Sequence, residues 1–198
     1  MILRRRVSPL GQAALRAAWG LADISDARIV LASRHGEFSR TLSILDSLAN
    51  GAGVSPADFT LSVHNALLGL LSIAANNRQG HTAISAGQAT FASGFVEALA
   101  CLVEYPRQPV VLMYFDEALP EPFDCFDETP DQPLALALTL GAEGSGEIFG
   151  FSTTSGASNS PRPAQALDFL RFMLTDTPKL SSRGDNAEWQ WRRHAAAA

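Results

Sequence analysis

The sequence predicts an α/β domain in which helices pack on a mixed, mostly parallel sheet. Short apolar runs rich in branched residues alternate with longer segments of helical period, the order that builds parallel strand–helix–strand units. Two later apolar runs, 110–115 and 134–140, have no helical pattern between them and read as an antiparallel pair. At 198 residues, with 46% hydrophobic and 18% charged, the chain is long enough for one domain with a substantial core.

The elements follow in order. Residues 8–21 carry Leu10, Ala14, Leu15, Ala18 and Trp19 at helical spacing. Ser8 is a candidate N-cap, and Pro9 suits a first turn, where no N–H is needed. Residues 28–32 (Arg-Ile-Val-Leu-Ala) form a short buried strand. Gly36 follows, then a helix over about 38–48 with Leu42 and Leu45 turned inward. Asn50-Gly51-Ala52-Gly53 stops it. A loop with Pro56 leads to Ser62, the candidate N-cap of a helix over 63–75. Residues 76–80 are a turn. A strand is expected at Thr82, Ala83, Ile84, Ser85 and Ala86. An apolar helix over 88–102 comes next, buried on nearly all sides. Strands over 110–115 and 134–140, a helix over 164–174 and a polar tail from about residue 176 complete the chain.

Composition narrows the function classes. The net charge of −5 argues against general nucleic-acid binding. Polar residues interrupt every apolar run before 18 accumulate, so no membrane helix is expected. The basic opening has no apolar stretch behind it, which argues against a secretory signal and for a cytoplasmic setting. Cys101 and Cys125 lack metal-ligand spacing and make no disulfide framework. No glycine-rich dinucleotide fingerprint, Walker sequence or metal-ligand cluster occurs, so neither cofactor nor metal is expected.

The segment Ile84-Ser85-Ala86-Gly87-Gln88-Ala89-Thr90-Phe91-Ala92-Ser93-Gly94 joins a small-residue strand end to an apolar helix, placing Gln88 at a helix N-terminus. It resembles the strand–turn–helix of β-ketoacyl-acyl carrier protein synthases, whose cysteine nucleophile would fall at Gln88. An amide forms no thioester and has no nucleophilic ionised form. Other segments carry the same resemblance: Leu3-Arg4-Arg5-Arg6-Val7-Ser8-Pro9-Leu10, Ser33-Arg34-His35-Gly36-Glu37, Phe59-Thr60-Leu61-Ser62-Val63-His64-Asn65-Ala66, Asp116-Glu117-Ala118-Leu119-Pro120-Glu121 and Trp189-Gln190-Trp191-Arg192. Together they cover nearly the whole chain. More narrowly, it resembles the short, N-terminal-type synthase proteins described as chain-length factors of aryl-polyene-type fatty acid and polyketide systems.

The resemblance implies half of a thiolase-like fold, with the strand before Arg4 missing and the second half, with its decarboxylating histidines, absent. It further implies a subunit without catalytic residues of its own, pairing through Thr82 to Ala86 with a full-length β-ketoacyl synthase and serving an acyl carrier protein. The alternatives are a stand-alone malonyl or acyl thioester decarboxylase or hydrolase, and a homodimeric acyl-binding protein. Candidate pocket residues are Gln88, His64, Asn65, Phe91 and Phe95; the two phenylalanines are four apart on one helix face and are read first as core. His35 is read as a loop residue, Cys101 as inert packing and Cys125 as exposed. Asp116, Glu117 and Glu121 are read as a solvated loop. Arg4-Arg5-Arg6 and Arg192-Arg193 are surface clusters suited to steering an acidic carrier protein.

Overall fold

The computed structural model describes residues 7–21, 23–126, 133–142, 146–156, 164–184 and 187–194. The Arg4-Arg5-Arg6 cluster and the closing alanines lie outside them. Helix α1 (Pro9–Trp19) is capped as expected: the Ser8 hydroxyl accepts from the Gly11 N–H at 3.0 Å, with Pro9 in the first turn. Its buried face is made of Gly11, Ala14 and Ala18, so it lies close to its neighbours. Trp19, turned about 100° from Ala18, is exposed rather than inward.

Strand β1 (Arg28–Ala32) matches its expected limits. Helix α2 (Phe38–Ala49) departs from expectation in packing, because none of its residues is buried and Leu45 is 46% exposed. It rests on the short helix α3 (Pro56–Ser62) rather than on the sheet. Ser62 therefore ends a helix instead of opening one. Ser55 caps α3, its hydroxyl accepting from the Asp58 N–H at 3.3 Å, and the extended backbone of Val63 breaks the run. Helix α4 (Ala66–Ala74) starts afresh at an angle of 94°.

Strand β2 (His81–Ile84) is shorter than predicted, leaving Ser85 and Ala86 beyond it. A 3₁₀ turn (Gly87–Ala89) then enters helix α5 (Thr90–Glu104). Strands β3 (Val110–Asp116) and β4 (Leu134–Leu140) follow. The first sheet has the order β2-β1-β3-β4, with β1 parallel to both neighbours and β3 antiparallel to β4. All seven residues of β3 are buried, as a strand covered on both faces requires.

The region read as a polar tail instead supplies two strands of a second sheet, and a segment that carried no expected element, 148–155, supplies the third. Strands β5 (Ile148–Ser155), β6 (Lys179–Arg183) and β7 (Ala187–His194) pair antiparallel in the order β5-β7-β6, and helix α6 (Gln165–Met173) lies between β5 and β6 in sequence. Charged residues interleave with Trp189 and Trp191 in β7, so the apolar period of two is short and masked. Both clusters of the core follow from strand alternation. Ile29, Leu31, Val111, Met113 and Phe115 face α1 and α4. Val30, Ala32, Val110, Leu112 and Tyr114 face α5 and α6. The second sheet roofs that helical layer, Trp191 at 0% exposure meeting Phe151 at 5.2 Å and Phe169 at 5.7 Å between ring centres. The layers run helix, sheet, helix, sheet.

Candidate functional site

The chain leaves β1 toward the α4 face and leaves β2 toward the α5 face. The carboxyl ends of these paired parallel strands lie side by side, at the end of the sheet where open α/β folds place their ligand sites. Two loops meet there.

The first is the elbow after β2. Gly87 has φ of +55°, a left-handed conformation that favours glycine. The Thr90 hydroxyl accepts from the Ala86 N–H at 2.9 Å and donates to the Gly87 carbonyl at 2.6 Å, tying the turn to the first residue of α5. Gln88 sits within this turn, half-buried, two residues before α5 begins. Gln165, at the start of α6, adds a second tie: its side-chain carbonyl accepts from the Ala92 N–H at 3.2 Å. Gly184, just beyond β6, packs on Ala89 and Trp189 closely enough that an added methyl would stand 3.2 Å from the Ala89 Cβ and 3.0 Å from the Trp189 Nε1.

The second loop follows β1. Gly36 donates its N–H to the Ser33 hydroxyl at 3.0 Å. Asp116, the last residue of β3, accepts from the Arg34 N–H at 2.9 Å and the His35 N–H at 3.1 Å. It is 3% exposed, so its reading as a solvated loop residue fails. A carboxylate closing a fully apolar strand is the sequence signal that marked it, because such a group is buried only with partners. The Ser85 hydroxyl donates to the Arg34 carbonyl at 2.9 Å and joins the two loops. Glu117 is half-buried, accepts from the Ser39 hydroxyl at 3.2 Å, and has its carboxyl raised by burial. Glu121 alone of the three is exposed as expected.

The other candidates divide. His64 lies in the turn between α3 and α4, against Gly36, and its Nε2 is buried without a hydrogen-bond partner. It therefore borders the β1 loop, with Val7, Leu67 and Phe115 around a small void of about 10 Å³. Neighbouring Asn65 is exposed and its side chain makes no cap bond. Phe91 and Phe95 are buried in the aromatic core, 5.2 Å and 5.6 Å from Phe169. Cys101 is buried, which pushes its thiol up; Cys125 is exposed and donates to the Pro122 carbonyl at 3.4 Å. Arg193 is not a free surface cation: it pairs with Glu147 at 2.9 Å and its guanidinium lies over Phe172 at 4.8 Å. Arg192 is exposed.

Among the described residues, no group of three or more histidine, cysteine or carboxylate side chains is placed to hold a metal. No single helix among them is long and apolar enough to cross a membrane; the bent pair α3–α4 passes by length and composition alone, and Leu67, Leu68 and Leu71 of α4 are core residues.

A mixed sheet between helical layers, with an elbow at the end of an edge strand, defines a thiolase-like ketosynthase fold. The sequence matches the family described as β-ketoacyl synthase, N-terminal domain, over residues 1–192, and the chain belongs to that family. It is similar to a chain of the ketosynthase ApeO in complex with its chain length factor ApeC from Xenorhabdus doucetiae, at 30% identity and a TM-score of 0.85. That likeness covers 98% of this chain and 81% of the other. A β-ketoacyl synthase from Burkholderia phymatum shares the fold at 18% identity and a TM-score of 0.57, over 86% of this chain and 53% of its own. Among curated proteins none matches.

Proposed function

We propose that this chain is a non-catalytic subunit that pairs with a full-length β-ketoacyl synthase, as a chain length factor does, and bounds the acyl chain that the synthase builds on an acyl carrier protein. The observation that carries this reading is Gln88 in the elbow. The turn that would present a nucleophile is intact, and the residue it presents is an amide that cannot take up an acyl group.

The form of the surface favours a partner at the same place. Among the described residues β2 is an edge strand, hydrogen-bonded to β1 alone of the strands. Its inward carbonyls are those of Gly80 and Ile84, which accept from Ile29 and Ser33, so by alternation the N–H and C=O of Ala83 point outward. An open edge of this kind recruits another strand. On α5 beside it, Val96, Ala100 and Val103 form an exposed apolar stripe, with Val103 at 83% exposure. Strand pairing and burial of that stripe would act together. An acyl carrier protein as third partner and a cytoplasmic location belong to the same reading, with Arg192 available to meet an acidic surface.

The test is co-expression with a ketosynthase encoded beside it, followed by native mass measurement. A one-to-one heterodimer is expected. A homodimer or a monomer in the presence of excess synthase overturns the reading. Ala83→Pro removes an outward donor while sparing the β1 ladder, and is expected to weaken pairing. Ile84→Asp is the poorer probe, since Ile84 packs on the core.

A further inference from the structure

We propose that Asp116 is a positioning residue for the elbow, acting through the β1 loop. The chain of contacts is short. The two Asp116 carboxylate oxygens take the Arg34 and His35 N–H groups, one each, at 2.9 Å and 3.1 Å. That fixes the Arg34–His35 peptide plane, whose N–H faces Asp116 and whose Arg34 carbonyl accepts the Ser85 hydroxyl at 2.9 Å. Ser85 is the first residue beyond β2, one before Ala86, whose N–H the Thr90 hydroxyl holds. A side chain at the end of β3 thus reaches Ser85 through two hydrogen-bonded steps, across residues 82 and 51 apart in sequence, and the Ala86–Thr90 bond is the third step, to the entrance of α5.

The chemistry suits a fixed support. A carboxylate gripping two backbone N–H groups forms charge-assisted bonds, stronger and more directional than neutral ones. Asp116 is buried, so water does not compete for it. Ser85 is exposed, and the β1 loop holds this part of the elbow both through the Ser33 N–H, which donates to the Ile84 carbonyl at 3.0 Å, and through the Arg34 carbonyl, which accepts the Ser85 hydroxyl. No proton or acyl group passes along this path; it sets where Ser85 to Gln88 stand. On the reading that β2 and the elbow face a partner subunit, which this inference extends, Asp116 shapes that surface without touching it.

Amide hydrogen exchange separates this role from ordinary stabilisation. Asp116→Asn and Asp116→Ala are expected to speed exchange at Arg34, His35, Ala86 and Ala89 by about tenfold or more, with the β3 amides Val111 to Met113 little changed. Ser85→Ala cuts the relay at its exposed end. It is expected to loosen Ala86 and Ala89 while leaving Arg34 and His35 protected. If Asp116→Ala does not fold, Asp116→Asn and Ser85→Ala still decide the matter. Unchanged exchange at Ala86 and Ala89 in Ser85→Ala, or acceleration spread evenly through the core in Asp116→Asn, overturns the proposal. Pairing with the ketosynthase is measured alongside. If the wild-type chain does not pair, the subunit reading fails, while the exchange pattern still reports on the relay.

Discussion

Gly94 of α5 lies against Ala32 of β1 so closely that a methyl group at residue 94 would stand 2.7 Å from the Ala32 Cβ. The same methyl would meet Leu112 Cδ1 at 3.3 Å. Helix and sheet approach at this point because both surfaces are small. The Gly94→Ala variant must therefore push α5 off β1 or shift the strand. It is expected to lose about 1–3 kcal/mol, an overpacking cost that outweighs the better helix propensity of alanine. Urea denaturation with an unchanged slope checks the figure.

Trp191 joins the second sheet to the helical layer, touching Phe91, Phe95, Phe151 and Phe169. Trp191→Ala leaves a cavity that those rings cannot fill, and a loss of about 3–5 kcal/mol is expected. A loss below about 1 kcal/mol, read by thermal and chemical unfolding together, would mean that the second sheet contributes little to the core.

Asn77 is a buried bracket in the turn before β2. Its amide donates to the Ile24 carbonyl at 2.6 Å and the Ala27 carbonyl at 2.7 Å, and its oxygen accepts from the Gln79 N–H at 2.9 Å. Asn77→Ala strands two carbonyls that water reaches poorly. The expected cost is about 1–3 kcal/mol, with Asn77→Asp also destabilising because a carboxylate donates nothing to a carbonyl. Differential scanning calorimetry of the two variants checks it.

Glu117 gives a pH signature. Burial raises its carboxyl, opposed by the Ser39 hydrogen bond and reinforced by Glu37. A raised carboxyl favours the protonated form in the folded chain, so its contribution is fully present below the unfolded value and lost as pH rises through the folded one. Glu117→Gln does not titrate. Its stability relative to the wild type is expected to be greatest at neutral pH and to shrink as pH falls into the ordinary carboxylate range. Melting temperatures of both proteins across that range test the sign.

The sequence carried the first sheet well. Strands β1, β3 and β4 are continuous apolar runs, and Ser8 with Pro9 marks the start of α1 within a residue. Packing was legible only where the period was clean. Leu42 and Leu45 have helical spacing, but a helix that rests on α3 instead of the sheet has no core to turn toward. The second sheet was hidden because its buried residues are few and large, with Glu188, Gln190 and Arg192 between them in β7. At the site, the Gly87-Gln88 turn is local and could be read. Asp116 could not be placed, because its partners Arg34 and His35 are more than 80 residues away, and only the pairing of β1 with β3 brings them together.

The roof of the helical layer also dictates an order of events. Trp191 closes on Phe91 across a hundred positions of chain (191 minus 91), and β5 joins the same layer from the far side of an intervening helix. Contacts of such separation close late, since the entropy of a long loop must be met before any burial offsets it. During synthesis, β1, β2, β3 and α5 leave the ribosome with the aromatic face of α5 bare. Phe151 of β5 and Phe169 of α6 are the first elements able to cover it, and Trp191 of β7 closes over them last; until they emerge that face is open to any apolar surface nearby, including a nascent partner. The docking of β5, α6 and β7 on α5 is therefore expected to be a late event in folding.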